Sequence, residues 1–220
     1  MEKLEAASGT ADRSRPGHLL NAISSCASSR CYGRGTLIYD VGDPTDSWYR
    51  VAAGIAARCA DLSDGRRQIV ELLLPGDFFG FSAHAEHPYA VEAVADETTI
   101  VRYPRRSVEA LVQSNPKLEG DLRRLAFDAI GRLDDRVVTV GCMNAVERVG
   151  AFLLEMAERA PDEGLDQVAL PLSRYQIADY LGLSMETVSR SFGELKKKEA
   201  ISLFGPHRVK LLNRTLLRPE

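Results

Sequence analysis

Short apolar runs separated by turn residues fill the first half of the chain, between residues 35 and 104. Six of these runs have the length and composition of β-strands. Asp64-Gly65 lies between two of them and is a strong signal for a tight hairpin turn. Many short strands with frequent turns predict an all-β roll or barrel. The predicted strands are TLIY (36–39), WYRVAA (48–53), IAARCA (55–60), RQIVELLL (67–74), AVEAVA (90–95) and TTIVRYP (98–104).

The pattern changes to helical spacing after residue 107. A short helix is followed by a long one over residues 116–143, and Pro116 suits the first position of that helix. Apolar residues recur along it at intervals of three and four residues, as in the seam of a coiled coil. Such a stripe either packs within its own chain or joins two copies, and the spacing leaves both interpretations open. The residues of the stripe are Leu118, Leu122, Leu125, Ala129, Leu133, Val137 and Val140.

Residues 172–195 predict two short helices joined by a tight turn. Ser173 and Gln176 have the S-x-x-Q spacing of a capping box, which begins the first helix. Gly182 ends that helix, because glycine adopts the left-handed conformation at no steric cost. Ser184 can cap the second helix at once. Two helices joined this closely, with glycine in the turn, predict a helix-turn-helix over residues 173–192. The predicted core positions are Ile177, Ala178, Leu181, Val188, Phe192 and Leu195.

The face of the second helix outside this core carries Glu186, Ser189 and Arg190. An arginine can donate two parallel hydrogen bonds to O6 and N7 of guanine, and a glutamate can accept from N4 of cytosine. This face can therefore read base edges in a DNA major groove. Glu186 and Arg190 also lie four residues apart, so a solvated surface ion pair is the alternative interpretation. The two interpretations are compatible, since the carboxylate can orient the guanidinium.

Positive charge is concentrated around these helices. Residues 167–218 contain nine Lys or Arg against four Asp or Glu, a net charge of +5, whereas the whole chain has a formal net charge of −3. The segment 201–212 alternates around Gly205-Pro206 and predicts a β-hairpin wing. A basic helix-turn-helix is typical of a DNA-binding domain, although a solvated basic surface has the same charge. The residues expected to contact DNA phosphates are Ser173, Arg174, Ser184, Thr187, Lys196, Lys197 and Arg208.

These motifs together resemble one family. The stretch Leu172–Arg190 follows the pattern L-S-R-x-x-I-A-D-Y-L-G-L-S-x-E-T-V-S-R and closely resembles the Crp/Fnr superfamily of bacterial transcription regulators, from about residue 19 onwards. The resemblance implies an α+β fold with an N-terminal double-stranded β-roll of the cyclic-nucleotide-binding type (19–115), a long dimerisation helix (116–143) and a C-terminal winged helix-turn-helix (144–220). It also favours the dimer interpretation of the apolar stripe, since two recognition helices about 34 Å apart would enter successive major grooves.

The resemblance assigns base reading to four residues of the second helix. Glu186 and Arg190 take the positions of the family's base-reading pair, and Ser189 is the residue of the Fnr type. Met185 stands where Crp-type proteins have an arginine, which implies the loss of one guanine contact. The implied target is a TTGA…TCAA inverted repeat rather than TGTGA…TCACA. The implied partners are double-stranded DNA, RNA polymerase and a second copy of the chain, and the implied function is that of a transcription regulator, more specifically an activator.

The predicted roll departs from its nucleotide-binding relatives. In those relatives the stretch after the motif Pro75–Gly80 holds a glutamate for the ribose and an arginine for the phosphate. Residues 81–90 of this chain contain no arginine. Burying a phosphate without a cationic partner is costly, so we do not expect control by a cyclic nucleotide.

Other sensor chemistries also lack their usual residues. An iron–sulfur cluster needs a set of cysteine ligands, and only Cys26 and Cys31 of the four cysteines lie close together. We expect reduced thiols, with Cys59 packed as a small apolar residue. No cofactor or metal is therefore expected, which resembles the FixK-type branch of the superfamily. Haem bound through His84 and His87, a redox-active cysteine and a cyclic nucleotide are the alternatives.

Composition narrows the class of protein further. The chain has 220 residues and 45% hydrophobic content, which suits a globular protein. No apolar run approaches the roughly 20 residues needed to cross a bilayer, and residues 1–18 lack the apolar core of a secretory signal. We expect a flexible arm over residues 1–18, no membrane contact and a cytoplasmic location. No phosphate-binding glycine loop, nucleophile motif or metal-ligand spacing is present, so an enzyme is not expected.

Overall fold

The computed structural model describes residues 17–159, 166–205 and 207–219. The first half of the chain forms a roll of two four-stranded antiparallel sheets, with strand orders β1-β8-β3-β6 and β2-β7-β4-β5. This confirms the predicted all-β roll. Its strands are β1 (Ser28–Tyr32), β2 (Leu37–Tyr39), β3 (Ser47–Ala53), β4 (Ala56–Asp61), β5 (Arg67–Leu73), β6 (Phe78–Phe79), β7 (Ala90–Ala93) and β8 (Thr98–Pro104).

The six predicted strands are all present, with ends that differ by up to two residues. The hairpin between β4 and β5 contains Asp64-Gly65, and Gly65 has the positive φ of 84° that favours glycine there. The sequence did not predict β1 or β6. Four of the five residues of β1 are exposed, and β6 has only two residues, so neither shows a pattern of alternating burial.

Helix α1 (Gly17–Ile23) precedes the roll in the chain, and α2 (Arg105–Ser114) and α3 (Pro116–Cys142) follow it. Residues 1–16 of the predicted flexible arm lie outside the described residues, and its last two positions, 17 and 18, belong to α1. The predicted start of the long helix is confirmed. Pro116 lies in the first turn of α3, and the Asn115 side chain accepts a hydrogen bond from the Lys117 amide at 3.1 Å.

The first part of the predicted dimer stripe packs inside its own chain. Leu118 is only 3% exposed and lies in a cluster with Leu19 and Trp48, and Leu122 and Leu125 pack against the same cluster. The prediction that Leu118 contacts a second copy is therefore wrong, because α1 and the roll cover this face of α3. Ala129 and Leu133 are half-buried, and Val137 and Val140 are exposed. The exposed large apolar residues of α3 are Phe127, Ile130, Val137, Val138 and Val140.

The last part of the chain is a winged helix-turn-helix. It consists of α4 (Ala145–Arg159), β9 (Gln167–Ala169), α5 (Arg174–Leu181), α6 (Met185–Lys197), β10 (Ile201–Leu203) and β11 (Arg208–Leu211). The predicted wing is confirmed in β10 and β11, although Pro206 at its tip lies outside the described residues. A third strand, β9, pairs with β11 and was not predicted.

The roll and the winged helix-turn-helix share one hydrophobic core. Ile69 and Leu72 of β5 belong to the same buried cluster as Ile177 and Leu181 of α5. The helix-turn-helix therefore lies directly against the roll. None of the described helices is long and apolar enough to span a membrane.

Candidate DNA-binding surface

Local side-chain caps shape the helix-turn-helix as the sequence predicts. Ser173 Oγ accepts a hydrogen bond from the Gln176 amide at 3.2 Å, and Gln176 Oε1 accepts from the Ser173 amide at 2.8 Å. Gly182 ends α5 in the left-handed region, at φ 63° and ψ 42°. Ser184 Oγ then accepts from the Thr187 amide at 3.2 Å and begins α6. Both helix starts and the turn between them are thus determined by neighbouring residues.

The packing of α6 decides which of its faces is free. Val188, Phe192 and Leu195 are buried in the core of the winged helix, as predicted. The opposite face exposes Glu186, Ser189 and Arg190 to solvent, and Met185 is half-buried at the start of the helix. The structure therefore brings the predicted base-reading residues together on one accessible surface.

Glu186 and Arg190 do not form the ion pair that their spacing allows. Within the described chain, no nitrogen–oxygen distance of 4 Å or less joins them, and Arg190 Nη2 lies 3.5 Å from Thr187 Oγ1 instead. The pKa of Glu186 is below its ordinary value, because its own backbone amide, the Ser184 side chain and the charge of Arg190 favour the carboxylate. At neutral pH the helix thus presents a hydrogen-bond acceptor at Glu186 and a cationic donor at Arg190.

The residues expected to contact phosphates fall into separate groups. Ser173 and Arg174 begin α5, and Ser184 and Thr187 begin α6, where unpaired amides and the helix dipole favour anions. The Arg174 guanidinium carbon lies 3.5 Å from the centre of the Phe192 ring, so this side chain rests on the core rather than extending into solvent.

The second group lies at the far end of α6 and on the wing. Lys196 and Lys197 are exposed in the last turn of α6, about 17 Å from its start at 1.5 Å per residue. Arg208 is exposed at the start of β11. Sequence reasoning missed two exposed aromatic side chains nearby, Tyr175 in the first turn of α5 and Phe204 after β10. Neither side chain is charged, so the concentration of basic residues in this region did not indicate them.

Comparisons with known proteins identify this architecture. A family model described as a Crp-like helix-turn-helix domain matches residues 147–220, and one described as a cyclic nucleotide-binding domain matches residues 29–115. The nitrogen fixation regulation protein FixK of Rhizobium meliloti is 38% identical over 187 residues, which cover 85% of this chain and 84% of that protein. The chain belongs to the Crp/Fnr family of transcription regulators, as a FixK-like member.

A further relative and a solved structure agree with this family assignment. The transcriptional activator protein FnrL of Cereibacter sphaeroides is 33% identical over 186 residues, covering 82% of this chain and 75% of that protein. The structure of FixK2 from Bradyrhizobium japonicum superposes with a TM-score of 0.81 at 34% identity, covering 87% of this chain and 95% of that one. The predicted family and fold class are confirmed. These relatives are transcription regulators and not enzymes, and the helix-turn-helix is a DNA-binding domain.

The interior of the roll does not fit the cyclic nucleotide that its family name implies. The rings of Tyr39, Tyr49 and Phe79 pack against each other between the sheets, with centroid distances of 5.3 to 6.1 Å. His87 is 3% exposed and stacks on Tyr39 at 3.8 Å. The charge of Arg58 acts to lower the pKa of Tyr39, and Arg58 itself pairs with Glu71 at 3.2 Å. The space between these rings is thus occupied by the roll's own side chains, and the charge of Arg58, whose Nε atom has no hydrogen-bond partner, is offset by Glu71.

The cysteines and histidines of the described chain are dispersed. Cys59 is buried, as predicted, and its sulfur accepts a hydrogen bond from Arg67 Nη2 at 3.0 Å; burial raises the pKa of this thiol. Cys31 and Cys142 are exposed and Cys26 is half-buried. His84 is exposed, unlike His87. Among the residues with described positions, no group of three or more His, Cys, Asp or Glu side chains is placed to hold a metal ion.

Proposed function

We propose that this FixK-like regulator acts in the cytoplasm as a homodimeric activator that binds a TTGA…TCAA inverted repeat and recruits RNA polymerase. The observation that carries the proposal is the exposed face of α6, where Glu186, Ser189 and Arg190 lie together above a fully buried opposite face. Arg190 offers a forked donor to guanine, and the ionised Glu186 offers an acceptor to cytosine.

Met185 supports the TTGA half-site rather than the longer TGTGA half-site. Its side chain is half-buried and apolar, so it lacks the donors with which an arginine at this position would read a further guanine. Ser184 and Thr187 are instead joined through their hydroxyls at 3.0 Å beside the helix start, in a position to meet a phosphate. The proposed division of roles is base reading by residues 185–190 and positioning by the phosphate contacts around them.

The exposed side of α3 supports the dimer. Phe127 and Val137 are 63% and 70% exposed, and Ile130 and Val138 accompany them. At 100° per residue these four side chains lie roughly opposite Arg136, which stacks on Tyr180 of the same chain. A stripe of large apolar residues on a long helix is typical of a surface that a second helix covers. The proposed dimer contact therefore keeps Val137 from the predicted stripe and adds Phe127, Ile130 and Val138, whereas Val140 lies nearer to the side of Arg136.

The names of the relatives support a role in oxygen or nitrogen metabolism, and activation rather than repression of transcription. FixK of Rhizobium meliloti is named for regulating nitrogen fixation, and FnrL of Cereibacter sphaeroides for transcriptional activation. We therefore assign this chain to the control of oxygen or nitrogen metabolism. Because the roll is filled by aromatic side chains, DNA binding is proposed to need no nucleotide.

Fluorescence anisotropy at one fixed salt concentration tests the proposal. The untreated protein is titrated with three duplexes that contain the TTGA…TCAA repeat, a single half-site or a scrambled sequence. We expect the strongest binding to the full repeat, without added nucleotide, metal or reductant. Equal affinity for the full repeat and the scrambled duplex would reject the operator assignment. A requirement for cyclic nucleotide would reject the proposed mode of control. Sedimentation of the free protein measures the dimer separately.

A further inference from the structure

The end of α5 is held by residues from outside the helix-turn-helix. The last four carbonyl groups of a helix have no N–H partner within the helix. The groups that donate hydrogen bonds to them therefore determine how the helix end is fixed. In α5 the Ala178 carbonyl accepts from the Leu183 amide at 3.1 Å, inside the turn. The next three carbonyls, at Asp179, Tyr180 and Leu181, accept hydrogen bonds from side chains of other elements.

Gln68 of the roll supplies two of these hydrogen bonds. Its Nε2 atom donates to the carbonyls of Asp179 and Tyr180 at 2.5 and 3.3 Å, across more than a hundred residues of sequence. It also lies 3.1 Å from the Ile69 carbonyl. Gln68 is half-buried, and the next residue, Ile69, is buried in the core that the roll shares with α5. The packing of Ile69 thus anchors the backbone from which the Gln68 side chain extends.

Arg148 of α4 supplies the hydrogen bond to the third carbonyl. Its Nη1 atom donates to the Leu181 carbonyl at 3.0 Å, while Nε and Nη2 donate to the carbonyls of Met143 and Val140 at 2.9 and 2.7 Å. One rigid guanidinium therefore joins the end of α5 to the end of α3 and to the residue that follows α3. An arginine fork suits this geometry, whereas the single ammonium of a lysine would not match three carbonyls in fixed directions.

The glycine turn is enclosed by these same groups. A Cβ atom at Gly182 would lie 3.8 Å from Arg148 Nη1, 3.8 Å from Gln68 Oε1 and 4.0 Å from Val140 Cγ1. The turn that sets the angle between α5 and α6 is therefore in contact with the roll, with α4 and with the end of the long helix.

We propose that Gln68 and Arg148 are positioning residues for DNA recognition. They fix the α5–α6 turn to the roll and to the end of α3, and so set the direction in which Glu186 and Arg190 point. The inference rests on the proposed function, because direction matters most when two recognition helices must meet two half-sites at one spacing. Loss of the contacts lowers the fraction of molecules in the competent orientation, and the apparent affinity for the full repeat falls with that fraction.

Substitutions at Gln68 separate this role from simple packing. Gln68→Glu keeps the size of the side chain, removes the donor and places a negative charge at the negative end of a helix. Gln68→Lys keeps a donor and adds a charge that this helix end favours. We expect Gln68→Glu to weaken the contact and Gln68→Lys to retain it. A role in filling space alone would predict similar effects of the two. Gln113→Glu, at an exposed position of α2, controls for the change in net charge.

Hydrogen exchange of the full-length protein measures the contact without DNA. The reporter is the Leu183 amide, which bonds to the Ala178 carbonyl in the turn. We expect exchange there to be about tenfold faster in Gln68→Glu than in the wild type or Gln113→Glu, the factor expected for one lost hydrogen bond to a helix end. Gln68→Lys should exchange within about twofold of the wild type. Unchanged exchange at Leu183 in Gln68→Glu would overturn the inference.

Anisotropy then measures the consequence for DNA. We expect Gln68→Glu and Arg148→Lys to weaken binding to the full repeat by about tenfold, and binding to a single half-site by less than about threefold. Equal losses on both duplexes would overturn the positioning role. Should the wild type itself not distinguish the full repeat from scrambled DNA, the proposed operator fails, and the exchange experiment still decides whether Gln68 holds the turn.

Discussion

Arg159 of α4 forms an ion pair with Asp77 of the roll, 82 residues earlier in the chain. Both side chains are largely buried, and Asp77 also accepts a hydrogen bond from the Leu74 amide at 2.8 Å. Asp77 belongs to the motif PGDFFG, which the sequence links to the roll alone. In the structure this motif connects the roll to the first helix of the DNA-binding part.

Asp77→Asn should therefore destabilise the whole protein. The substitution removes a buried charge and leaves the facing arginine with Glu155 as its remaining carboxylate partner. We expect a loss of about 2 kcal/mol in the free energy of unfolding, measured by urea denaturation. Asp64→Asn is the matched control, because the Asp64–Arg66 pair at 2.8 Å is mostly exposed and should contribute less than about 1 kcal/mol. Equal losses in the two variants would contradict a structural role of the buried pair.

Alanine variants of α6 should separate base reading from charge. Removing Glu186 or Arg190 should weaken binding to the TTGA…TCAA duplex by about 5- to 100-fold and leave scrambled DNA nearly unaffected. Lys197→Ala should instead weaken binding to both duplexes alike and reduce the salt slope by about one. Anisotropy titrations at several salt concentrations give both quantities. The base-reading assignment fails if all three variants lose the same affinity on the two duplexes.

Val137→Glu should block dimer formation without unfolding the chain. The side chain is 70% exposed in the single chain, so a carboxylate there costs little until a second helix covers it. We expect the dimer dissociation constant to rise at least about tenfold, measured by sedimentation equilibrium. Val41→Glu, at an exposed position of the roll, is the control and should leave the constant unchanged.

Leu118→Ala should behave differently from Val137→Glu and lower the free energy of unfolding of the chain by about 2–4 kcal/mol.

The buried His87 should make stability depend on pH. Burial lowers the pKa of His87, although the charges of Asp43 and Asp46 act in the opposite direction. The unfolded chain therefore binds a proton below about pH 6.5 that the folded chain resists, and stability falls as the pH drops from 6.5 towards the folded pKa. The slope is at most about 1.4 kcal/mol per pH unit. His87→Phe should reduce this dependence in urea titrations between pH 7 and pH 5, whereas His84→Phe, at an exposed site, should not. Identical pH profiles for the wild type and His87→Phe would contradict the assignment.

The parts of the site that the sequence predicted depend on neighbouring residues. The Ser173 capping box, the left-handed Gly182 and the Ser184 cap each involve partners within a few positions along the chain. Helical spacing then places Glu186, Ser189 and Arg190 opposite Val188 and Phe192. The exposed α6 surface follows from these short-range rules.

The parts that the sequence did not predict depend on partners far along the chain. Nothing near Gln68 indicates that its amide meets carbonyls of α5, because that contact exists only once the roll and α5 pack together. Periodicity likewise shows that Leu118 and Val137 lie on apolar parts of α3, but not which part its own chain covers. Strand β1 was missed because its mostly exposed residues lack the alternation that marks a half-buried strand.

The packing of α5 against β5 has a consequence for folding. β5 is the outermost strand of its sheet, and an isolated roll would present it with Ile69 and Leu72 uncovered, the kind of edge on which other chains aggregate. The DNA-binding part therefore also covers an edge strand that could otherwise pair with another chain. Because one core spans both parts, denaturant should unfold them in a single cooperative transition, and a truncated roll without residues 144–220 should be poorly soluble.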